Sequence, residues 1–416
     1  MGRTLIEKIM QRHGAGDCSA GDVVWMDIDN RTARDFAGAS VVANLEKYGG
    51  QEPVADKSKT FFTFDCNVPA NTIPYANNQQ KIRYFARKHG LKVYDVDAGI
   101  GSHVVIEEKY GKPGTTTVGT DSHLNIMGSM GAFGQGMGDV DIAYAFKTGQ
   151  VWFQVPETVK VALKGMPGPG TEAKDVALAM LSRFSNHELL GKAVEVYGEW
   201  ADSASVGDCV TLSSLATEMG AIIALLPPNS NVLDYFGMDR SEAVYADEDA
   251  DYSEEYELNI DGLEPLIAAP PSPTNVYNVG EITEVRVDTV FVGSCTNGTY
   301  QDLKYAAELL KGRKVAPGMM LKVVPATRKT WSRLLEEGYL KSIFDAGGIV
   351  SNAGCGGCAS GQIGMTGEGE VQISTSNRNF RGKQGKGDTY LAGIGTAIAS
   401  AVFGRIASVD ELKEEV

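Results

Sequence analysis

Cys295, Cys355 and Cys358 are the residues whose type and spacing carry the clearest chemistry. Cys295 lies in Gly293-Ser294-Cys295-Thr296-Asn297-Gly298; the other two lie in Asn352-Ala353-Gly354-Cys355-Gly356-Gly357-Cys358-Ala359-Ser360-Gly361. Each stretch follows a short apolar run and reads as a turn after a buried strand. A Cys-x-x-Cys by itself fits a thiol redox pair, a zinc site or an iron-sulfur cluster. A redox pair needs no third cysteine from a distant turn, and structural zinc wants a fourth Cys or His nearby, which neither turn has. Three thiolates suit a cluster with one iron left unligated by protein, free to act as a Lewis acid on a substrate oxygen. The neighbouring glycines let backbone N–H groups approach sulfide. Cys18 and Cys209 lack such surroundings and read as inert.

The elements that must position these turns follow a regular order. Strands over 289–293, 321–324, 348–351 and 371–374 end in the Cys295 turn, in Pro325-Ala326-Thr327-Arg328, in the Cys355/Cys358 turn, and in Thr375-Ser376-Asn377-Arg378-Asn379-Phe380-Arg381-Gly382-Lys383. Four strand ends therefore deliver Cys, Asn and Arg to one edge of one sheet. Earlier, a helix is expected over 1–20 and a strand over 22–29, with a second helix beginning near Arg34. The run 60–64 ends in Asp65-Cys66-Asn67, a glycine turn over 97–103 ends at His103, and the run 115–119 ends in Thr120-Asp121-Ser122-His123. Strand, polar loop and helix repeat, the pattern of an α/β fold with largely parallel sheets, whose ligands bind beyond the carboxyl ends of the strands.

The glycine-rich stretch 128–138 reads as close backbone approach rather than a dinucleotide loop. Residues 211–220 read as an apolar helix carrying Glu218, the acidic run 247–257 as solvated surface, and 268–273 as a stiff linker. Three domains are expected, over 1–155, 156–270 and 284–416.

Composition narrows the function. A net charge of -15 disfavours nucleic acid, which requires a basic patch. Neither an apolar span near 20 residues nor a charged-then-apolar leader is present, so a cytoplasmic protein with reduced thiols and no membrane segment is expected.

Cys295-Thr296-Asn297-Gly298, the Cys355/Cys358 turn, Thr120-Asp121-Ser122-His123 and Ser376-Asn377-Arg378-Asn379-Phe380-Arg381-Gly382, in this order over essentially the whole chain, resemble the signature segments of the aconitase superfamily. The chain is similar to its branch with separate large subunits, the isopropylmalate dehydratases and homoaconitases. The resemblance implies a three-domain aconitase-like core without the swivelling fourth domain. It also implies a 4Fe-4S cluster on Cys295, Cys355 and Cys358, and a dehydration and rehydration that moves a hydroxyl between neighbouring carbons of a di- or tricarboxylic acid. Carried over by position, His103, Asp121, His123 and Asp65 are acid-base or hydroxyl-orienting groups, and Glu218 is the acid that partners His123. Asn297, Asn377, Arg378, Ser122, Lys383 and Arg34 are substrate-side groups. A separate small subunit is implied, supplying the swivelling domain and a serine base.

Three positions depart from the family pattern. Asp65-Cys66 stands where Asp-His is usual, Lys383 where Arg is usual, and Arg34 where Gln or His is usual. Isopropylmalate is the first expectation for the substrate; homoaconitate or 2,3-dimethylmalate is the alternative these departures favour. An RNA-binding cluster sensor and an electron carrier are the readings from other classes. Acidic charge counts against the first, and an open iron is unneeded by the second.

Overall fold

The computed structural model describes residues 2–185, 187–359 and 362–414; Ser360 and Gly361 of the second cysteine stretch lie outside them. The chain divides into two compact units. The first comprises residues 1–65, 69–164 and 187–258, and the second 66–68, 165–186 and 259–416.

The first unit holds a five-stranded, wholly parallel sheet in the order Lys92–Tyr94, Thr60–Thr63, Asn30–Arg34, Thr116–Gly119, Phe133–Gly136. Parallel neighbours bring the chain segments after Arg34, Thr63, Tyr94 and Gly119 to one edge. A four-stranded sheet, Ile223–Leu225, Ala193–Tyr197, Thr158–Lys164 and Glu254–Asn259, and an antiparallel ribbon of Val23–Asp27 with Gln150–Gln154 complete its strands.

The second unit is built on seven strands, ordered Val276–Asn278, Leu266–Ala268, Asp388–Ala392, Val371–Ser374, Thr289–Val292, Met320–Val323, Ile349–Val350. The last five are mutually parallel, and the first two join antiparallel. Their apolar faces bury Val290, Val292, Leu321, Val323 and Ile373 against the helices Tyr300–Leu310 and Ile394–Phe403, whose Leu303, Ala307, Ala397 and Ile398 fill the same core. Buried on both faces, such strands are continuous apolar runs, which is why the sequence displays them.

Several elements differ from the sequence expectation for identifiable reasons. The helix expected over 1–20 is Leu5–Met10, followed by a wider turn over Gln11–Ala15 in which Gly14 takes φ +90°. Near Arg34, where a helix was expected to begin, Asn30–Arg34 is a largely buried strand whose Arg31 bonds Thr60 Oγ1 at 3.1 Å and Ile28 O at 3.0 Å, and the helix starts at Gly38. The apolar helix near 211 is Val206–Ser214 and stops before Glu218. There Ser213 and Ser214 hydroxyls bond carbonyls of Ala224 and Thr211, drawing the chain out of the helix. The stretch read as a linker begins at Ala268, the end of a strand paired on both sides. Part of the acidic run forms the strand Glu254–Asn259, with alternating exposure. In the glycine-rich stretch, a Cβ on Gly136 would lie 2.2 Å from Asp121 O, so backbone crowding explains the residue.

One buried cation supplies a stability prediction. Lys322 is 2% exposed in a central strand, donates to Gln372 Oε1 at 2.8 Å, and is pushed by burial down to about 8. Below that pH both folded and unfolded chains carry its proton. Between about 8 and 10.5 the folded chain releases it first, so this residue's contribution to stability rises with pH. Relative to Lys322→Met, the wild type should gain about 3 kcal/mol over that window, read from urea unfolding at each pH. A constant difference overturns the assignment.

Candidate active site

Two groups of polar side chains stand at strand ends, one in each unit. In the first unit, Arg34 closes its strand and its backbone N–H donates to Thr120 Oγ1 at 2.9 Å. Its Nε donates to Asp65 Oδ1 at 2.7 Å and its Nη1 to Asp121 Oδ1 at 2.8 Å. Both carboxylates are almost wholly buried, at 0% and 4% side-chain exposure. Asp65 also accepts the Gly101 N–H at 2.7 Å, while its own N–H donates to Asp35 Oδ1 at 3.2 Å.

One guanidinium thus serves two acids, and they divide its charge unequally. Burial pushes Asp65 up to about 6, opposed by Arg34 and reinforced by Asp35 and Asp121. Burial acts on Asp121 in the same sense, but Arg34, His123, the His123 N–H and His103 outweigh it and hold Asp121 below the usual carboxylate range. Asp121 therefore keeps the negative charge, and Asp65 is the acid able to hold a proton near neutrality.

Asp121 Oδ1 accepts the His123 N–H at 3.0 Å. The imidazole is gripped at both nitrogens, by Ser122 Oγ at 3.2 Å from Nδ1 and Glu218 Oε1 at 3.1 Å from Nε2. His123 and Glu218 are nearly closed to solvent, at 9% and 3% side-chain exposure. His103 is buried in the short helix Gly101–Glu107. His103, Asp121, His123, Glu218, Asp65, Ser122 and Arg34 thus occur together in this unit. Arg34 has two of its nitrogens on carboxylates of that unit.

In the second unit, Cys295 sits on the turn Ser294–Asn297 and Cys358 on the turn Gly356–Cys358, and the two turns pack together. Their parent strands, Thr289–Val292 and Ile349–Val350, flank Met320–Val323. Gly356 has φ +57°, and a Cβ there would come within 2.8 Å of Val324 Cγ2 and 3.0 Å of Phe291 Cε2; the second turn lies flat on the sheet. Cys355 is buried, whereas Cys295 and Cys358 are partly exposed. Three thiols on two touching, glycine-bearing turns fit a three-thiolate cluster.

Asn377 is buried. Its Oδ1 lies 3.5 Å from Cys295 Sγ and accepts from Thr296 Oγ1. Asn297 Nδ2 donates to Asp302 Oδ1 at 3.2 Å. Arg378 is partly exposed beside Asn377, and Lys383 is partly exposed on the far side of exposed Phe380.

Sequence reasoning missed the groups beneath this loop. Lys174, wholly buried, donates to Ser376 O at 2.8 Å and Thr375 O at 3.2 Å. Gln384 donates to Ser376 Oγ at 2.6 Å and Arg378 O at 2.9 Å, and accepts from Gln372 Nε2 at 2.8 Å. A lysine on an otherwise apolar helix face was the available signal for the first; the second left none. Of the cysteines read as inert, Cys209 is fully buried and its thiol is pushed by burial up to about 12. Among the described residues, no helix is long and apolar enough to cross a membrane.

The model of the aconitase family (aconitate hydratase) matches residues 7–284 and 278–404. The chain is 40% identical over 412 residues to a 3-isopropylmalate dehydratase large subunit 1 from Methanopyrus kandleri, covering 98% of each protein. It is 38% identical over 418 residues to the homoaconitase large subunit of Thermus thermophilus, covering 100% of this chain and 99% of that protein. The solved structure of Thermococcus kodakaraensis aconitase X in its holo-form shares the fold, with a TM-score of 0.52 at 13% identity, covering 90% of this chain and 89% of that one. With a family model spanning both units and relatives matched end to end, the chain belongs to the aconitase family.

Proposed function

We propose that the chain is the large subunit of an iron-sulfur hydro-lyase that interconverts 2-isopropylmalate and 3-isopropylmalate by dehydration and rehydration. The observation that carries this reading is the match, along nearly the whole chain, to relatives named as 3-isopropylmalate dehydratase large subunits. Cys295, Cys355 and Cys358 would hold a 4Fe-4S cluster. When bound, that cluster supplies a Lewis-acid iron that makes hydroxide a better leaving group.

The chain's own residues do the rest. Arg378 clamps a substrate carboxylate with its planar fork, and Lys383 adds a point charge. Asn377 and Asn297 orient polar groups beside the thiolates. His123, fixed in its ring orientation by Glu218, moves a proton to or from the departing hydroxyl. Asp65, pushed by burial up to about 6, can carry a proton just below neutral pH, and Asp121 accepts the His123 N–H. Arg34 keeps the two carboxylates from repelling each other. A separate small subunit brings the swivelling domain and the serine that removes the carbon-bound proton; the large-subunit names of the relatives support such a partner. The reaction takes place in a reducing cytoplasm, where the thiols persist.

A second reading replaces the substrate with homoaconitate or 2,3-dimethylmalate, favoured by the end-to-end match to a homoaconitase large subunit and by Cys66 and Lys383. An anaerobically reconstituted two-subunit enzyme, assayed by alkene absorbance with each acid, decides between them. Turnover of 2-isopropylmalate is expected; turnover of another acid alone sinks the first reading.

A further inference from the structure

Cys66 belongs to the three-residue segment 66–68 that packs with the second unit. Its ligating sulfur and that of Cys355 lie within 4.8 Å of each other, and both residues are buried, at 5% and 8% exposure. The segment is fixed to the cysteine turn from both sides: Asn352 Nδ2 and Gln362 Nε2 both donate to Val68 O, at 2.7 and 2.6 Å. Asn352 precedes the turn and Gln362 follows it, so Cys66 is held as part of the turn's own construction. A sulfur within 4.8 Å of Cys355 lies beside any cluster that Cys355 holds, within reach of it by side-chain rotation.

We propose that Cys66 is a fourth, displaceable thiol ligand of the cluster. It occupies the iron that the other three cysteines leave open while no hydroxy acid is bound, and it yields that iron to substrate. The exchange is balanced without electron transfer. The thiol loses its proton to solvent as the sulfur-iron bond forms; on substrate arrival that bond breaks and the thiol recovers a proton. A hydroxy acid presents two oxygens against one sulfur, so chelation favours displacement. The thiol protects the iron in the resting enzyme, and the inference rests on the cluster reading above.

The test uses the cluster-loaded chain with the fourth iron enriched in 57Fe. Without hydroxy acid, the wild-type Mössbauer signal of that iron should match sulfur-ligated iron, whereas Cys66→Ala should show a distinct oxygen-ligated site. Adding 2-isopropylmalate should bring the two spectra together. Mild ferricyanide oxidation should produce the three-iron electron paramagnetic resonance signal about tenfold faster in Cys66→Ala, with Cys66→Ser between the two. Identical spectra and identical oxidation rates in loaded wild type and Cys66→Ala overturn this inference alone. A wild-type chain that takes up no cluster overturns it together with the proposed function.

Discussion

Cys358→Ala is expected to lose the cluster and with it at least about 10³ in kcat, while the chain stays folded. Lewis-acid stabilisation of a leaving hydroxide is worth several kcal/mol, and each 1.36 kcal/mol is about tenfold in rate. The fold should survive because Cys358 lies on a partly exposed turn rather than in the apolar interior. Iron and sulfide content, visible absorbance and turnover should fall together, with an unchanged far-ultraviolet circular dichroism spectrum. Cys209→Ala makes the contrast. That residue is fully buried in the helix Val206–Ser214, so its loss should lower the melting temperature and leave iron content and kcat intact. A full cluster in Cys358→Ala would remove the three-thiolate assignment.

Arg34→Leu is the second large effect, and it falls on stability. Removing the one cation leaves Asp65 and Asp121, both nearly sealed from water, without their shared partner. Stripping one member from a buried ion pair costs about 3–5 kcal/mol. Both carboxyls should then titrate higher in the folded chain than in the unfolded one, where the ordinary value is 3.8. A folded pKa above the unfolded one gives stability that is present at low pH and lost as pH rises. The deficit of Arg34→Leu should accordingly be greatest near pH 7 and shrink toward pH 4. Arg34→Lys should recover little, because an ammonium cannot reproduce the separate Nε and Nη1 contacts. Adding Asp65→Asn to Arg34→Leu should recover part of the loss. A pH-independent deficit measured by urea unfolding would contradict this account.

The comparison of sequence with structure has a physical pattern. The strands Thr289–Val292, Met320–Val323 and Val371–Ser374 were legible because both faces are buried and the chain turns polar at their ends. The cysteine turns were legible from their glycines. Asn30–Arg34 was not, since its burial depends on Arg31 bonding Thr60, 29 positions away, which leaves no apolar period. The pairing of His123 with Glu218 was reached through family resemblance; as local pattern, Glu218 lay on an expected helix that ends before it. Lys174 and Gln384, which hold the loop around Asn377 from below, are single polar residues whose partners only the folded chain assembles.

The segment that carries Lys174 also sets an order of events during synthesis. Glu172 accepts the N–H groups of Ile394 and Gly395, Asp175 accepts that of Leu266, and Lys174 holds the carbonyls of Thr375 and Ser376. Three residues of the stretch 172–175 thus fasten three later parts of the second unit, the farthest 223 positions downstream. At a ribosomal rate of about 5–20 residues per second, Leu266, 91 positions on, emerges roughly 5–18 s after its fastener, and Gly395, 223 positions on, roughly 11–45 s after its own. Early in that interval the first unit's remaining segment, 187–258, is made. The first unit can thus be complete on the ribosome while the second still waits for its last strands, so assembly of the second unit falls late in translation.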